Sequence, residues 1–314
     1  MNAAPATRLV LIATGDIALP TFRYLLENGH RPLALVTQPD KPLGRHQTLT
    51  PSPLKLEALA AGLPVLQPLV IGEVAGELAA MEPDVIVVMA YGQILRQNIL
   101  SVARCATINL HASLLPRHRG ASCIQAAIVA GDEESGVTAM HVIRELDAGD
   151  VIFAQAIPLA AAETGASLHD RLAELAPSVL AETLRRLASG SATRTPQDAG
   201  VATYAPKLER EDGRIDWTLG AAALERRIRA YDPWPGTFTI VREAEQAKRL
   251  KIYPPVEVGD GTLCPGQFVT SDAELRVGCG GGSLRLHTVQ PEGSRRMSAA
   301  EYLRGRPVNR GGSL

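Results

Sequence analysis

The stretch that decides the fold runs from residue 8 to residue 29 and reads RLVLIATGDIALPTFRYLLENG. It opens with a short apolar run, and the pair Gly15-Asp16 then interrupts the run as a turn would. The apolar residues that follow recur at helical spacing until Gly29 ends the pattern: Leu19, Phe22, Leu25 and Leu26. The stretch therefore predicts a buried strand, a turn and a helix.

The same alternation continues to about residue 188. Apolar runs predict further strands, at Pro32–Thr37, Asp84–Ala90, Cys105–Leu110, Gly136–Val142 and Asp150–Ala156. Helical spacing predicts helices between or after them, at Leu56–Ala61, Glu73–Ala80, Ile124–Ala130 and Leu168–Ala188. Alternating strands and helices with continuously apolar strands are typical of a parallel sheet covered on both faces. We therefore predict a Rossmann-like α/β domain.

The length of 314 residues favours two domains. The stretch 189–202, SGSATRTPQDAGVA, is small and polar, which is typical of a linker. After it, short β-prone runs broken by Gly and Pro indicate a small OB-like β-barrel. We predict a first domain at 1–189, a linker at 190–206 and a second domain at 207–314.

Charge and cysteine content exclude several classes of protein. The formal net charge of −1 excludes binding of nucleic acid by bulk positive charge. Residues 1–206 carry 15 basic and 19 acidic side chains, whereas residues 207–314 carry 17 and 14. This distribution is compatible with a polyanionic partner that touches only the last third. The four cysteines show no CxxC spacing, and we expect neither a metal nor a disulfide framework.

The N-terminal apolar run is too short to span a bilayer, and no cleavage-site pattern follows it. We therefore expect a cytoplasmic protein without a membrane partner, and a monomer. The turn at Gly15 lacks the G-x-G-x-x-G pattern, which argues against nicotinamide binding.

Polar residues that could carry chemistry follow the strand at Cys105–Leu110. Open parallel sheets bind ligands at the carboxyl ends of their strands. Asn109 and His111 are two residues apart, so in extended backbone their side chains face the same side. The alternative for Asn109 is a turn residue that satisfies its own backbone.

A second polar cluster, LDAGD at 146–150, lies between the last two predicted strands. A carboxylate near His111 would favour the imidazolium and orient the ring, which supports acid and base chemistry near neutral pH. Asp147 is our candidate for this carboxylate. We expect Asp150, which begins a strand, to be a structural turn or cap residue.

These two clusters, NLHASLLPRHRGA at 109–121 and LDAGDVI at 146–152, resemble the catalytic signature of the folate-dependent formyltransferases. Further segments resemble the members of that family that act on aminoacyl-tRNA: TQPDKPLGR at 37–45, PSPLK at 51–55, VVMAYGQIL at 87–95, TYAPKL at 203–208, RIDW at 214–217 and RIRAYDPWPGT at 227–237. The resemblance covers nearly the whole chain in order.

The resemblance implies transfer of formyl from 10-formyltetrahydrofolate to the α-amino group of methionine on initiator tRNA, for translation initiation. It assigns catalysis to Asn109, His111 and Asp147 and requires no metal. It places the folate at two segments: Met89, Tyr91, Gly92, Ile94 and Leu95, and Ser113, Leu114, Leu115 and Pro116. Donors at the negatively charged oxygen of the tetrahedral intermediate would lower the barrier, and His111 would shuttle the proton.

For the tRNA, the resemblance and the charge pattern suggest two sets of basic residues. Lys41 and Arg45 lie in a polar loop at 39–53 that would enter near the acceptor end, although the following His-Gln-Thr is less basic than expected. The remaining candidates for phosphate contacts are Arg117, Arg119, Lys207, Lys248 and Lys251. For each of them, solvated surface charge is the alternative.

Two other functions stay open on the sequence alone. An N-formyltransferase for an amino sugar nucleotide would share the catalytic segment and differ in its partner surfaces. A nucleic-acid-binding protein of the same fold would lack turnover.

Overall fold

The computed structural model describes residues 7–43, 47–243, 246–261, 263–271 and 274–304. The chain divides into two compact units that interleave in sequence. The first comprises the described residues of Met1–Cys123, Glu134–Ile157 and His169–Ala205. The second comprises those of Ile124–Glu133, Pro158–Leu168 and Pro206–Leu314. The predicted boundaries at 189 and 207 therefore stay a prediction.

The strands that precede the second half of the chain are β1 Leu9–Ala13, β2 Leu35–Val36, β3 Lys41–Leu43, β4 Thr48–Thr50, β5 Val65–Leu66, β6 Val85–Met89, β7 Ala106–His111, β8 Glu134–His141 and β9 Val151–Pro158. The helices in the same region are α1 Leu19–Glu27, α2 Pro53–Ala60, α3 Ala75–Ala80, α4 Gln97–Leu100, α5 Cys123–Ala130 and α6 Gly165–Ala188. Seven of these strands form one sheet in the order β5-β2-β1-β6-β7-β8-β9, while β3 and β4 form a separate antiparallel hairpin.

The sheet is parallel from β5 to β7, as the continuous apolar runs predicted. Every residue of β1 and β6 is buried, which is expected of central strands covered on both faces. Strand β8 differs, because it runs antiparallel to β7 and pairs His111 with Thr138. An apolar run does not encode the direction of its neighbour, so the sequence could not distinguish this mixed edge from a wholly parallel sheet.

One hydrophobic core of the first unit lies between this sheet and its helices. Val10 and Ile12 of β1 and Ile86 of β6 pack there with Leu78 of α3. Helix α1 turns Phe22 and Leu25 inward, at the spacing that the sequence predicted. The polar carboxyl edge of the sheet is thereby fixed on a rigid support.

Residues 195–205, which we call the strap, lie within the predicted linker. They pack against the first unit instead of crossing open solvent. Thr195 pairs with Val151 through two backbone hydrogen bonds of 2.9 and 3.0 Å, and Tyr204 forms a bridge with Arg119. The sparse apolar content of the strap reflects this attachment through polar groups.

The second unit has the strands β10 Thr237–Glu243, β11 Gln246–Gly259, β12 Phe268–Ser271, β13 Glu274–Gly278, β14 Ser283–Pro291 and β15 Met297–Ser298, and the helices α7 Ala221–Ala230 and α8 Ala299–Arg304. Its antiparallel sheet has the order β10-β11-β14-β13-β12, with β15 paired to β14. This arrangement confirms the predicted small β domain.

The core of the second unit includes Leu224 and Ile228 of α7, Leu250 of β11 and Leu284 of β14. The unit also includes two segments that the sequence placed in the first domain, at 124–133 and 158–168. Arginines of α7 hold them through backbone carbonyls: Arg226 donates to Val129 at 3.2 Å, and Arg229 donates to Glu163 at 2.6 Å. Such contacts between distant segments leave no periodicity in the sequence.

Among the described residues, the structure contains no helix that is both long and apolar enough to cross a membrane.

Truncating Leu284, which is fully buried in β14, tests the core of the second unit. We expect Leu284→Ala to lower the free energy of unfolding by about 2–5 kcal/mol, because it removes buried methyl groups and leaves a cavity. Chemical denaturation of the full chain measures the change. The control Val269→Ala, at a position exposed by 42%, should stay within about 0.5 kcal/mol of the parent. Equal effects of the two substitutions would contradict this core.

Candidate functional site

The structure brings Asn109, His111 and Asp147 together at the carboxyl end of β7. The Asn109 Nδ2 atom lies 3.4 Å from Asp147 Oδ1. The His111 Nδ1 atom lies 3.7 Å from Asp147 Oδ2, and the His111 and Asp147 side chains are both about nine-tenths buried. The three predicted side chains thus form one cluster of a donor amide, an imidazole and a carboxylate.

A tightly folded loop at 142–150 carries Asp147 back to β7. Asp147 has a φ of 51°, a left-handed conformation that Asp tolerates better than most residues. Its Oδ2 accepts a hydrogen bond of 2.8 Å from the Gly120 amide. A Cβ on Gly149 would stand 1.8 Å from the His141 carbonyl oxygen, so only glycine fits there. The LDAGD sequence is therefore required for the backbone conformation of this loop as well as for the carboxylate that it supplies.

The imidazole of His111 is held from both of its nitrogens. Nε2 lies 2.9 Å from the carbonyl oxygen of His118 and donates to it, while Nδ1 faces Asp147. Burial lowers the pKa of His111, but the Cys123 side chain, the Asp147 carboxylate and the His118 carbonyl together raise that pKa to about 9. His111 is therefore mainly an imidazolium near neutral pH. In this state it can donate a proton, and it can accept one only after it has lost its own.

Cys123 is a residue of this site that the sequence does not predict. It begins α5, is buried, and forms a side-chain hydrogen bond with His111. No spacing signal links residues 111 and 123, because the intervening loop brings them together.

The loop after His111 is held by hydrogen bonds to its neighbours. The Ser113 hydroxyl donates to the Arg117 carbonyl at 2.8 Å. The Thr138 hydroxyl donates to the Ser113 carbonyl at 2.7 Å and accepts from the Leu115 amide at 3.2 Å. Leu114, Leu115 and Pro116 are partly exposed and remain candidates for ligand contact.

The other predicted folate segment follows β6 and divides into two sets. Met89, Tyr91 and Leu95 are buried, and the last two pack in the core of the first unit. Gly92 and Ile94 are exposed. A ligand that reaches this segment would meet mainly backbone groups. The buried Tyr91 hydroxyl has no hydrogen-bond partner in the described part of the chain.

A cavity of about 320 Å³ lies in the first unit, beside the strand that carries Asn109 and the start of the loop that carries Asp147. Its lining includes Leu100, Thr107, Val142, Ile143 and Arg144. The sequence does not predict this lining, because it comes from separate elements.

The predicted substrate-binding residues that the structure describes are divided between the two units. Lys41 on β3 and Arg117 are exposed, and Arg45 falls outside the described residues. Arg119 donates to Gln197 Oε1 through two nitrogens, at 3.0 and 2.8 Å, so part of its guanidinium has a structural role.

The remaining three lie in the second unit. Lys207 is exposed and 3.6 Å from Glu209. Lys248 and Lys251 are three residues apart in a regular part of β11, so their side chains project from opposite faces of the sheet. Lys248 and Lys251 therefore do not contribute to the same binding surface.

Among the described residues, no group of His, Cys, Asp and Glu is arranged to hold a metal ion.

Comparisons with known proteins match both parts of the chain. A family model described as "Formyl transferase" covers residues 8–184, and one described as "Formyl transferase, C-terminal domain" covers residues 207–307. The chain is 49% identical over 306 residues to a methionyl-tRNA formyltransferase of Akkermansia muciniphila, covering 96% of this chain and 97% of that protein. It is 44% identical over 299 residues to one of Methylococcus capsulatus, with coverage of 94% and 96%.

Solved structures agree at the level of the fold. An N-formyltransferase of Helicobacter canadensis, in complex with folinic acid and dTDP-3-aminofucose, has a TM-score of 0.65 at 14% identity and covers 93% of this chain and 100% of its own. A methionyl-tRNA formyltransferase from Clostridium thermocellum has a TM-score of 0.53 at 15% identity, with coverage of 89% and 98%.

The raised pKa of His111 makes stability depend on pH. Folding favours the protonated ring, so this contribution is fully present below about pH 6.5 and is lost as the pH rises through about 9. We expect the stability of the parent relative to His111→Gln to fall across this window, as measured by urea denaturation. His169→Gln, at a partly exposed histidine of α6, is the control for the loss of an imidazole outside the cluster. A pH-independent difference for His111→Gln would refute the raised pKa.

Proposed function

The chain belongs to the formyl transferase family, among the methionyl-tRNA formyltransferases, and we propose that it transfers formyl from 10-formyltetrahydrofolate to the α-amino group of methionyl-initiator-tRNA. The observation that supports this proposal is that Asn109 and His111 both lie beside the largely buried carboxylate of Asp147. The product is the formylated initiator of translation.

The cluster matches the needs of formyl transfer to an amine. Attack of the amine on the formyl carbon places negative charge on the formyl oxygen, and preorganised donors stabilise that charge. Protonated His111 and the second N–H of Asn109 are such donors. Their contacts with Asp147, at 3.7 and 3.4 Å, are long enough to yield to a substrate.

The attacking nitrogen must lose a proton, and the departing folate nitrogen must gain one. Because His111 starts protonated, Asp147 is the member of the cluster that can accept the first proton. His111 then delivers a proton to the folate nitrogen, and Asp147 returns one to His111. In this order Asp147 accepts and returns a proton, whereas the sequence alone suggested that His111 shuttles it.

We assign the folate to the 320 Å³ cavity and to the two segments predicted to bind it, at 89–95 and 113–116. Thr107 of its lining is two residues before Asn109 on the same face of β7, and Val142 begins the Asp147 loop. Backbone groups at 90–95 would recognise the polar edge of the pterin. Leu100 and Val142 would cover its apolar faces.

Sequence identity favours the tRNA substrate over the two alternatives. The amino-sugar enzyme shares the fold at 14% identity, whereas the tRNA enzymes are 49% and 44% identical along nearly the whole chain. A non-catalytic role does not require the intact cluster of donor, imidazole and carboxylate. An assay that offers methionyl-initiator-tRNA and an amino sugar nucleotide in turn separates the three, and formylation of the sugar alone would remove this proposal.

Translation uses charged tRNA in the cytoplasm, and we place the protein there as a monomer. Size-exclusion chromatography with light scattering tests the oligomeric state, and a stable dimer would contradict it.

Replacing the cluster should stop chemistry while leaving folate binding. We expect His111→Ala and Asp147→Asn to lower kcat at least about 100-fold, because each removes a group that holds charge or moves a proton in the transition state. Radiolabelled formyl transfer measures kcat, and calorimetry measures tetrahydrofolate binding. The controls His169→Ala and Asp170→Asn, at neighbouring positions of α6, should keep parental values. A cluster variant that retained most of its kcat would refute its role.

The tRNA surface is tested with single charge reversals, because Lys248 and Lys251 face opposite sides of β11. Lys251 is the more exposed, on the same face as Arg249. If that face holds phosphates, Lys251→Glu should raise the KM for tRNA and flatten its salt dependence without changing kcat. Lys248→Glu is the matched control for the other face. A KM that moved only with Lys248→Glu would assign tRNA to that face, against our proposal.

A further inference from the structure

The strap makes direct hydrogen bonds to the loop that carries Asp147. The Gln197 Nε2 atom donates to the carbonyl oxygen of Asp147 at 2.9 Å and to that of Gly149 at 2.8 Å. One side-chain amide therefore holds the carbonyls on both sides of Ala148. This contact acts on the backbone of Asp147, which is in the left-handed conformation.

The other end of the same amide holds the loop that follows β7. Gln197 Oε1 accepts two hydrogen bonds from the guanidinium of Arg119. Guanidinium offers only donors and carbonyls offer only acceptors, so the amide has a single orientation that satisfies both. Gln197 thus connects the Asp147 loop to the segment whose Gly120 amide donates to the Asp147 carboxylate.

Thr203, near the other end of the strap, supports His111 through His118. The Thr203 hydroxyl accepts from the His118 amide at 2.8 Å, and the Thr203 carbonyl accepts from the Arg119 amide at 2.9 Å. His118 has a φ of 57°, and its carbonyl is the acceptor for His111 Nε2. The atom that orients the imidazole therefore belongs to a residue that the strap holds in an unfavourable conformation.

From these contacts we propose that Gln197 and Thr203 are positioning residues for formyl transfer, which set the relative placement of the Asp147 carboxylate and the His111 imidazole. They touch neither group directly and act through the backbone at Asp147, Gly149 and His118. The inference rests on the proposed function. Displacement of reacting groups by about 1 Å costs up to about 100-fold in rate, so loss of these bonds should act on kcat more than on binding.

Gln197→Met tests the first contact, because methionine keeps the length of the side chain and adds no charge. We expect kcat to fall about 10- to 100-fold, with the KM for tRNA and the affinity for tetrahydrofolate little changed. The matched control is Gln155→Met, at a second partly buried glutamine of the first unit, whose side chain bonds to Ser178. An unchanged kcat in a folded Gln197→Met protein, or an equal fall in the control, would overturn the proposal.

Thr203→Val and Thr203→Ser test the second contact and serve if Gln197→Met does not fold. Valine keeps the shape of threonine without its hydroxyl, whereas serine keeps the hydroxyl. We expect a fall in kcat for valine and near-parental turnover for serine. Two variants with the same kcat would overturn the role of Thr203.

Titration of His111 by NMR separates this inference from the proposed function. In the parent the midpoint should lie at about 9. In Gln197→Met and Thr203→Val it should be lower, because the Asp147 carboxylate and the His118 carbonyl, which raise this pKa together with Cys123, are no longer held beside the ring. If the parent formylates no tRNA, the proposed function fails, yet this shift would still support the positioning. An unshifted midpoint in both variants would overturn it, whatever the substrate.

Discussion

The placement of the Asp147 carboxylate against His111 is the interaction on which the site depends. Three separate elements produce it: β7 supplies the imidazole, the loop at 142–150 supplies the carboxylate, and the segment at 117–120 binds both. A buried imidazole would ordinarily lose its proton. The Cys123 side chain, the Asp147 carboxylate and the His118 carbonyl together reverse that tendency and raise the pKa of His111 to about 9. The proposed chemistry therefore begins with His111 protonated beside the Asp147 carboxylate.

The rest of the first unit holds these side chains in position. A sheet with fully buried central strands fixes the position of the carboxyl ends, so Asn109 and His111 project from a rigid edge. The loops at that edge then carry the conformational cost, since Asp147 and His118 both have positive φ values. Hydrogen bonds from the strap offset this cost without introducing a charged group. A polar segment with little apolar content is well suited to this purpose, because its attachment uses backbone and amide groups.

Much of this was predictable from the sequence, for reasons that can be stated residue by residue. Continuous apolar runs predicted β1 and β6, and helical spacing predicted α1. The two-residue separation of Asn109 and His111 predicted a shared face, which β7 provides. The antiparallel direction of β8 was not predictable, because pairing direction leaves no mark on an apolar run. The contacts of Gln197, Thr203 and Cys123 were not predictable either, because each joins segments distant in sequence, for which composition and periodicity give no signal.

The most direct test of the account is the single-turnover rate of formyl transfer to methionyl-initiator-tRNA, followed across pH values from about 6 to about 10. If His111 enters the reaction as a protonated donor, the rate should rise as the substrate amine loses its proton and then fall through a midpoint at about pH 9. Absence of formyl-methionine at every pH, or a rate that continues to climb through pH 9, would contradict the account.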